Sequence, residues 1–286
     1  MTWLAFALSA GLASAVNVWA SKGLVARVRP EVAAGTVHLT GGLLCLVLVP
    51  VVGGGLGPVS GNALGLLLMM AVYVAGNLLY FAALAQAQLS EIDLLLRSSA
   101  LWTFVGGLVL LGERAAYGTV LGAGLILASV ALLSRAGQGG HDRFGFNRAQ
   151  WLALAAALAF GAGNVIDKSL SLHFPPMGYT ALNLLLTGIG VLALVRPRPA
   201  ELRMPALWGV ASWLVAATFA FTQLLLILAF AAGGGAGQVI LAAQIRMFVL
   251  VVVGVVLLRE RDRLARKLLA GVVMLAGVYW LATGGG

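Results

Sequence analysis

Arg97 and Arg246 are the residues of this chain that most need a chemical reason. Each lies inside an apolar run long enough to cross a membrane, Leu89–Arg114 (LSEIDLLLRSSALWTFVGGLVLLGER) and Ala236–Arg261 (AGQVILAAQIRMFVLVVVGVVLLRER). An arginine deep in hydrocarbon costs roughly 2.5–3.5 kcal/mol on insertion scales, and chains keep one where it faces a protein interior or a water-filled path. Its planar fork of donors matches a carboxylate or a phosphate. Asp93 stands four residues before Arg97, at the spacing of a helical ion pair, and its carboxyl is a candidate proton carrier. No acidic residue lies within a helical turn of Arg246.

The other polar residues inside apolar runs form the rest of a candidate lining. Tyr73, Asn77 and Tyr80 recur at i, i+4 and i+7 on one helical face. Asn17, Gln223, Gln244 and Trp102 join them, while Asn164, Asp167 and Lys168 approach the membrane face opposite to Lys22 and His38. The substrate-binding set expected from the sequence is therefore Arg246, Arg97, Asn77, Tyr80, Gln244, Gln223, Asn17, Asn164 and Trp102, with Asp93 and His38 as candidates for proton coupling. Each has a plainer reading. Buried asparagines often make only interhelical hydrogen bonds, worth about 0.6 kcal/mol on average. Asp93–Arg97 reads equally as a structural pair, His38 as a packing histidine, and Lys22 as a side chain snorkelling to the interface. Glu113 and Glu260, at the ends of the two arginine-bearing runs, read as structural charges.

Composition bounds the setting. Of 286 residues, 61% are hydrophobic and 9% charged, with a mean hydropathy of +1.02. Soluble domains carry about 25% charged residues. The net charge of +9 resides at span ends and in short loops, so it reports lipid and topology, and no nucleic-acid partner is expected. The single cysteine, Cys45, excludes an intramolecular disulfide. The histidines His38, His141 and His173 lack metal-ligand spacing, and no nucleophile motif appears, so no enzyme, cofactor or metal site is expected. The first twenty residues lack the basic start of a signal peptide and read as a retained first span.

Ten helical spans are expected: Trp3–Val25, Val32–Val52, Ala63–Ala87, Glu91–Leu111, Ala115–Leu133, Gln150–Leu172, Met177–Val195, Pro205–Ala231, Gly235–Leu258 and Leu264–Ala282. The pattern repeats at an offset of 147. Asn17 matches Asn164, and LLGER (Leu110–Arg114) matches LLRER (Leu257–Arg261). Residues 1–134 form a first five-helix repeat, 135–148 a connecting loop and 149–286 a second repeat. An odd number of spans per half inverts the second relative to the first. Inverted repeats are a transporter architecture whose site lies near the midplane. The fold class expected is thus an all-α membrane protein of ten transmembrane helices in two inverted repeats.

The Asn-to-Lys ends of spans one and six, the tail of span four ending in LLGER and its counterpart GVVLLRER, and the glycine-containing spans five and ten resemble the drug/metabolite transporter superfamily, in its ten-helix EamA-type branch. That family often carries a proline where this chain has Ser99 and Arg246. The resemblance implies gradient-linked export or exchange of small metabolites such as amino acids.

Together these features lead to the expectation of a secondary active exporter or exchanger that moves a small polar metabolite, an amino acid or organic anion, by alternating access. The competing expectation is a non-transporting integral-membrane assembly subunit. Expected partners are a small-molecule substrate, protons as coupling ion and the lipid bilayer, with the chain a monomer or weak homodimer. The expected location is the bacterial inner membrane. Arg27, Arg29, Arg135, Arg143, Arg148, Arg196, Arg198, Arg203, Arg259, Arg261, Arg263, Arg266 and Lys267 follow odd-numbered spans, against little beyond Arg114 and Lys168 after even ones. Basic short loops favour the cytoplasm, which places both termini outside; the family resemblance implies the reverse.

Overall fold

The computed structural model describes residues 2–52, 54–86, 92, 95–114, 116–137, 147–256 and 264–283, and every regular element among them is helical. The long elements are α1 (Thr2–Val25), α2 (Pro30–Val52), α3 (Ala63–Leu84), α4 (Ser99–Leu110), α5 (Tyr117–Gly137), α6 (Arg148–Ser171), α7 (Pro176–Val195), α8 (Val210–Ala231), α9 (Ala236–Ala243), α10 (Ile245–Val256) and α11 (Leu264–Thr283). Local chemistry sets several ends. Asn147 and Gln150 close a capping box at the start of α6, with reciprocal bonds of 2.8 and 2.9 Å. Pro30 and Pro176 open α2 and α7, where the missing N–H costs no helix bond.

Five of these helices, with α3 counted together with the short turn Ser60–Asn62 before it, are long and apolar enough to cross a membrane: α2, α3, α6, α7 and α8. Large apolar side chains stand on the outer surface, among them Val51 at 78%, Val210 at 77% and Val109 at 73% exposure. Such a surface is stable against lipid and would aggregate in water. The protein is an integral membrane protein.

Three expected spans depart from a single continuous helix. The fourth is interrupted at Arg97–Ser98, the eighth at Gly209, where a short helix Pro205–Trp208 precedes α8, and the ninth at Gln244. At Gly209 a hydrogen bond from its N–H to Pro205 O ends the short turn and an extended backbone begins α8.

The helices pack in pairs that join the two halves of the chain. α2 lies against α7, α5 against α11, α1 against α8, and α3 against α6, while α4 also packs on α6 and α9 on both α1 and α4. Glycine allows the closest of these approaches. A Cβ on Gly188 would fall 2.5 Å from Leu39 N, and one on Gly42 would fall 2.7 Å from Leu185 N. The main core runs through both halves, with Leu66, Met69, Tyr179, Phe230, Val239 and Leu241 all buried in it. Loops meet across the halves as well. Arg29, after α1, pairs with Glu201, after α7, at 3.1 Å. Gly57, after α2, lies against Phe174, after α6.

Candidate functional site

The breaks in the fourth and ninth spans are built alike. Ala100 N–H donates to Arg97 O at 3.2 Å, and Met247 N–H donates to Gln244 O at 2.9 Å. Both are bonds to the third residue back, the tighter 3₁₀ spacing, and adding 147 to the first pair yields the second. Neither turn contains proline or glycine. Ser98 supports the first, its Oγ donating to Leu95 O at 2.7 Å. A 3₁₀ turn inside a long helix often marks a hinge, and broken helices frame substrate sites in inverted-repeat carriers. The breaks fall beside Ser99 and Arg246, positions at which the resembled family often carries proline, so the bend is present here without it.

The two breaks collect three expected site residues in the interior. Arg97 is 7% exposed and Gln244 is 5% exposed, with the Gln244 Oε1 buried and accepting no hydrogen bond from the described residues. Arg246, two residues on, reaches α1 and donates from Nη1 to Ser14 Oγ at 3.0 Å.

Asn164 belongs to a larger network that the sequence reading passed over. Asp167, 3% exposed on α6, accepts three hydrogen bonds: from Tyr73 Oη on α3 at 2.6 Å, and from Tyr179 Oη at 2.6 Å and Asn183 Nδ2 at 2.9 Å, both on α7. Tyr73 Oη also lies 3.2 Å from Asn164 Oδ1, Asn164 Nδ2 donates to Thr103 Oγ1 at 3.1 Å, and Thr103 donates to Ser99 O at 2.8 Å. The chain of contacts runs from Asp167 to the residue beside the α4 break. The available signals were an aspartate inside an apolar helix and a tyrosine and an asparagine four residues apart on α7; which side chains met them was not legible.

The other expected residues are dispersed. Asn17 donates to Val215 O at 2.8 Å and Thr218 Oγ1 at 2.9 Å, binding α1 to α8. Asn77 donates back to Tyr73 O at 2.8 Å within its own helix. The tyrosine face expected on α3 therefore divides: Tyr73 serves Asp167, and the Tyr80 ring lies tilted at 5.1 Å from Phe81 beside an apolar cluster with Ile92 and Ala149. His38 sits 2.8 Å from Ala34 O and edge-on to Phe219 at 4.7 Å, a packing environment. Gln223 is half-buried on α8, and Trp102 is 38% exposed with its Cβ against Gly161. Asp93 and Glu260 lie outside the described residues.

Glu113 and Lys168 together secure the link between α8 and α9. Glu113 Oε1 accepts from Ala236 N–H at 2.7 Å, and Lys168 Nζ donates to Phe230 O at 2.8 Å. An anion thus meets a helix start and a cation a helix end, each favoured by the helix dipole.

Residues 1–135 match the EamA-like transporter family. No curated protein sequence matches the chain. A solved structure described as a crystal structure of a protein aligns with a TM-score of 0.78 at 18% identity, covering 99% of this chain and 99% of that one, which shows a shared fold. The match over residues 1–135 is to a family, the EamA-like transporters, that belongs to the drug/metabolite transporter superfamily.

Proposed function

We propose that the protein is a secondary active transporter, an exporter or exchanger, that carries a small amino acid or organic anion by alternating access. The observation that carries this reading is the pair of equivalent helix breaks, with Arg97, Gln244 and Arg246 at or beside them in the protein interior. Arginine's fork suits a carboxylate. Ten spans in two inverted repeats, 1–134 and 149–286 around the 135–148 loop, are supported by the packing. Under the 147 offset the α1–α8 contact becomes α6–α3, and α2–α7 maps onto itself. Loops expected on one side, such as those holding Arg29 and Glu201, touch. The carrier works as a monomer or weak homodimer in a bacterial inner membrane, with protons as its coupling ion.

The test is counterflow. The full chain is reconstituted into liposomes preloaded with unlabelled amino acids or organic anions, and entry of the labelled compound is followed. Exchange of at least one carboxylate compound, lost in Arg246→Ala, is expected. If no compound exchanges and the protein instead co-purifies with a second membrane protein, the assembly-subunit reading replaces this one.

A further inference from the structure

Asp167 presents an arrangement that carries more than packing. The residue is 3% exposed, and the groups bonded to its carboxyl are two phenols and one amide, all neutral. Within their helical ranges, α3 offers Tyr73 and Tyr80 as titratable groups, α7 offers Tyr179, and α4, α8 and α9 offer none. Lys168, next on α6, turns its Nζ to Phe230 O, and Glu113 sits at the start of α9. Among the described residues no ion pair reaches Asp167; the salt bridges there involve Arg29. A carboxylate held away from water without a cation is costly, and a proton removes that cost.

The hydroxyl of Tyr73 points to the same conclusion. It has one proton and two acceptors, Asp167 Oδ2 at 2.6 Å and Asn164 Oδ1 at 3.2 Å. With Asp167 ionised, the phenol proton serves one acceptor and leaves the other short. With a proton on Oδ2, the carboxylic acid donates to Tyr73 Oη and the phenol proton turns to Asn164 Oδ1. Every polar group in the row is then satisfied, through Asn164 and Thr103 to Ser99 O beside the α4 break.

We infer that Asp167 is a proton-binding site whose occupancy is relayed by Tyr73, Asn164 and Thr103 to the hinge at Arg97–Ser98. The proton comes from the aqueous phase and forms an O–H bond at Oδ2. Its release restores the carboxylate, and no other bond is made or broken. The role of this site as the coupling site of the carrier rests on the transport reading above; the protonation itself does not.

Infrared difference spectroscopy of the purified full chain, between acidic and alkaline buffer, tests the protonation without any transport. The expected result is a carboxylic C=O band that is lost in Asp167→Asn and displaced in Tyr73→Phe. A difference spectrum in Asp167→Asn identical to wild type overturns the inference, as does a wild-type spectrum with no such band at any pH. Should Asp167→Asn fail to fold, Tyr73→Phe and Tyr179→Phe decide: a displaced band in either supports the site, and an unmoved band in both overturns it. In liposomes, a variant that still exchanges substrate but no longer responds to a pH gradient supports the coupling role. Exchange in Asp167→Asn with the wild-type pH response overturns that role. Absence of exchange in wild type counts against the transport reading alone.

Discussion

Arg246 Nη1 and Ser14 Oγ meet at 3.0 Å across the contact between α10 and α1. At the 147-residue offset the corresponding residues are Ser99 and Gly161, where a Cβ would lie 3.1 Å from Ser99 O. The offset-related contact closes without a guanidinium. A hydrogen bond from a charged group contributes roughly 1.5–3 kcal/mol, a modest part of the stability of a chain this size. Arg246→Ala is expected to express and fold nearly as wild type while exchange falls at least tenfold. Arg246→Lys is expected to recover only part of it, because the bidentate fork is lost. Wild-type exchange rates in Arg246→Ala would remove Arg246 from the site.

Glu113 and Ala236 provide a stability prediction. The carboxylate accepts the first N–H of α9, and a charged bond of this type is worth roughly 1.5–3 kcal/mol. Glu113→Ala is expected to lower the thermal midpoint in detergent by several degrees. Glu113→Gln, which keeps an acceptor, is expected to lose less. Equal midpoints for all three proteins would show that the bond contributes nothing.

The α2–α7 contact tests close packing. A methyl on Gly188 would meet Leu39 N at 2.5 Å, against backbone that cannot swing aside. Gly188→Ala is expected to cost about 1–3 kcal/mol through overpacking. At Gly124, within α5, an added Cβ meets nothing within 4 Å. Gly124→Ala is expected to be neutral or to stabilise by up to about 1 kcal/mol, through the reduced freedom of the unfolded chain. Melting both variants beside wild type gives the comparison; a Gly188→Ala protein as stable as Gly124→Ala would contradict the packing argument.

The Arg29–Glu201 pair places the loops after α1 and α7 together, and both belong to the strongly basic face. Basic short loops favour the cytoplasm. A reporter active only in the cytoplasm is expected to be silent when fused to Gly286 and active when inserted at Gly139. The opposite pair of signals would reverse the orientation and restore the one the family resemblance implies.

Hydropathy determined which stretches became helices, and therefore the all-helical membrane class. Val32–Val52 and Met177–Val195 are predominantly apolar and carry no acidic or basic residue but His38, and a backbone in lipid must satisfy its own hydrogen bonds. The offset-147 match was likewise legible, because it is written in residue identities such as Leu110–Arg114 and Leu257–Arg261. The breaks at Arg97–Ser98 and Gln244 were not legible, since neither turn carries the proline or glycine by which a broken helix is usually recognised. Nor was the role of Asp167. Its partners lie 94 residues before it and 12 and 16 after it, and they meet only once α3, α6 and α7 have settled into one rotation and depth. Periodicity tells which residues share a face of one helix. The register between helices comes from packing, such as the glycine contacts at Gly42 and Gly188, and only the tertiary structure decides it.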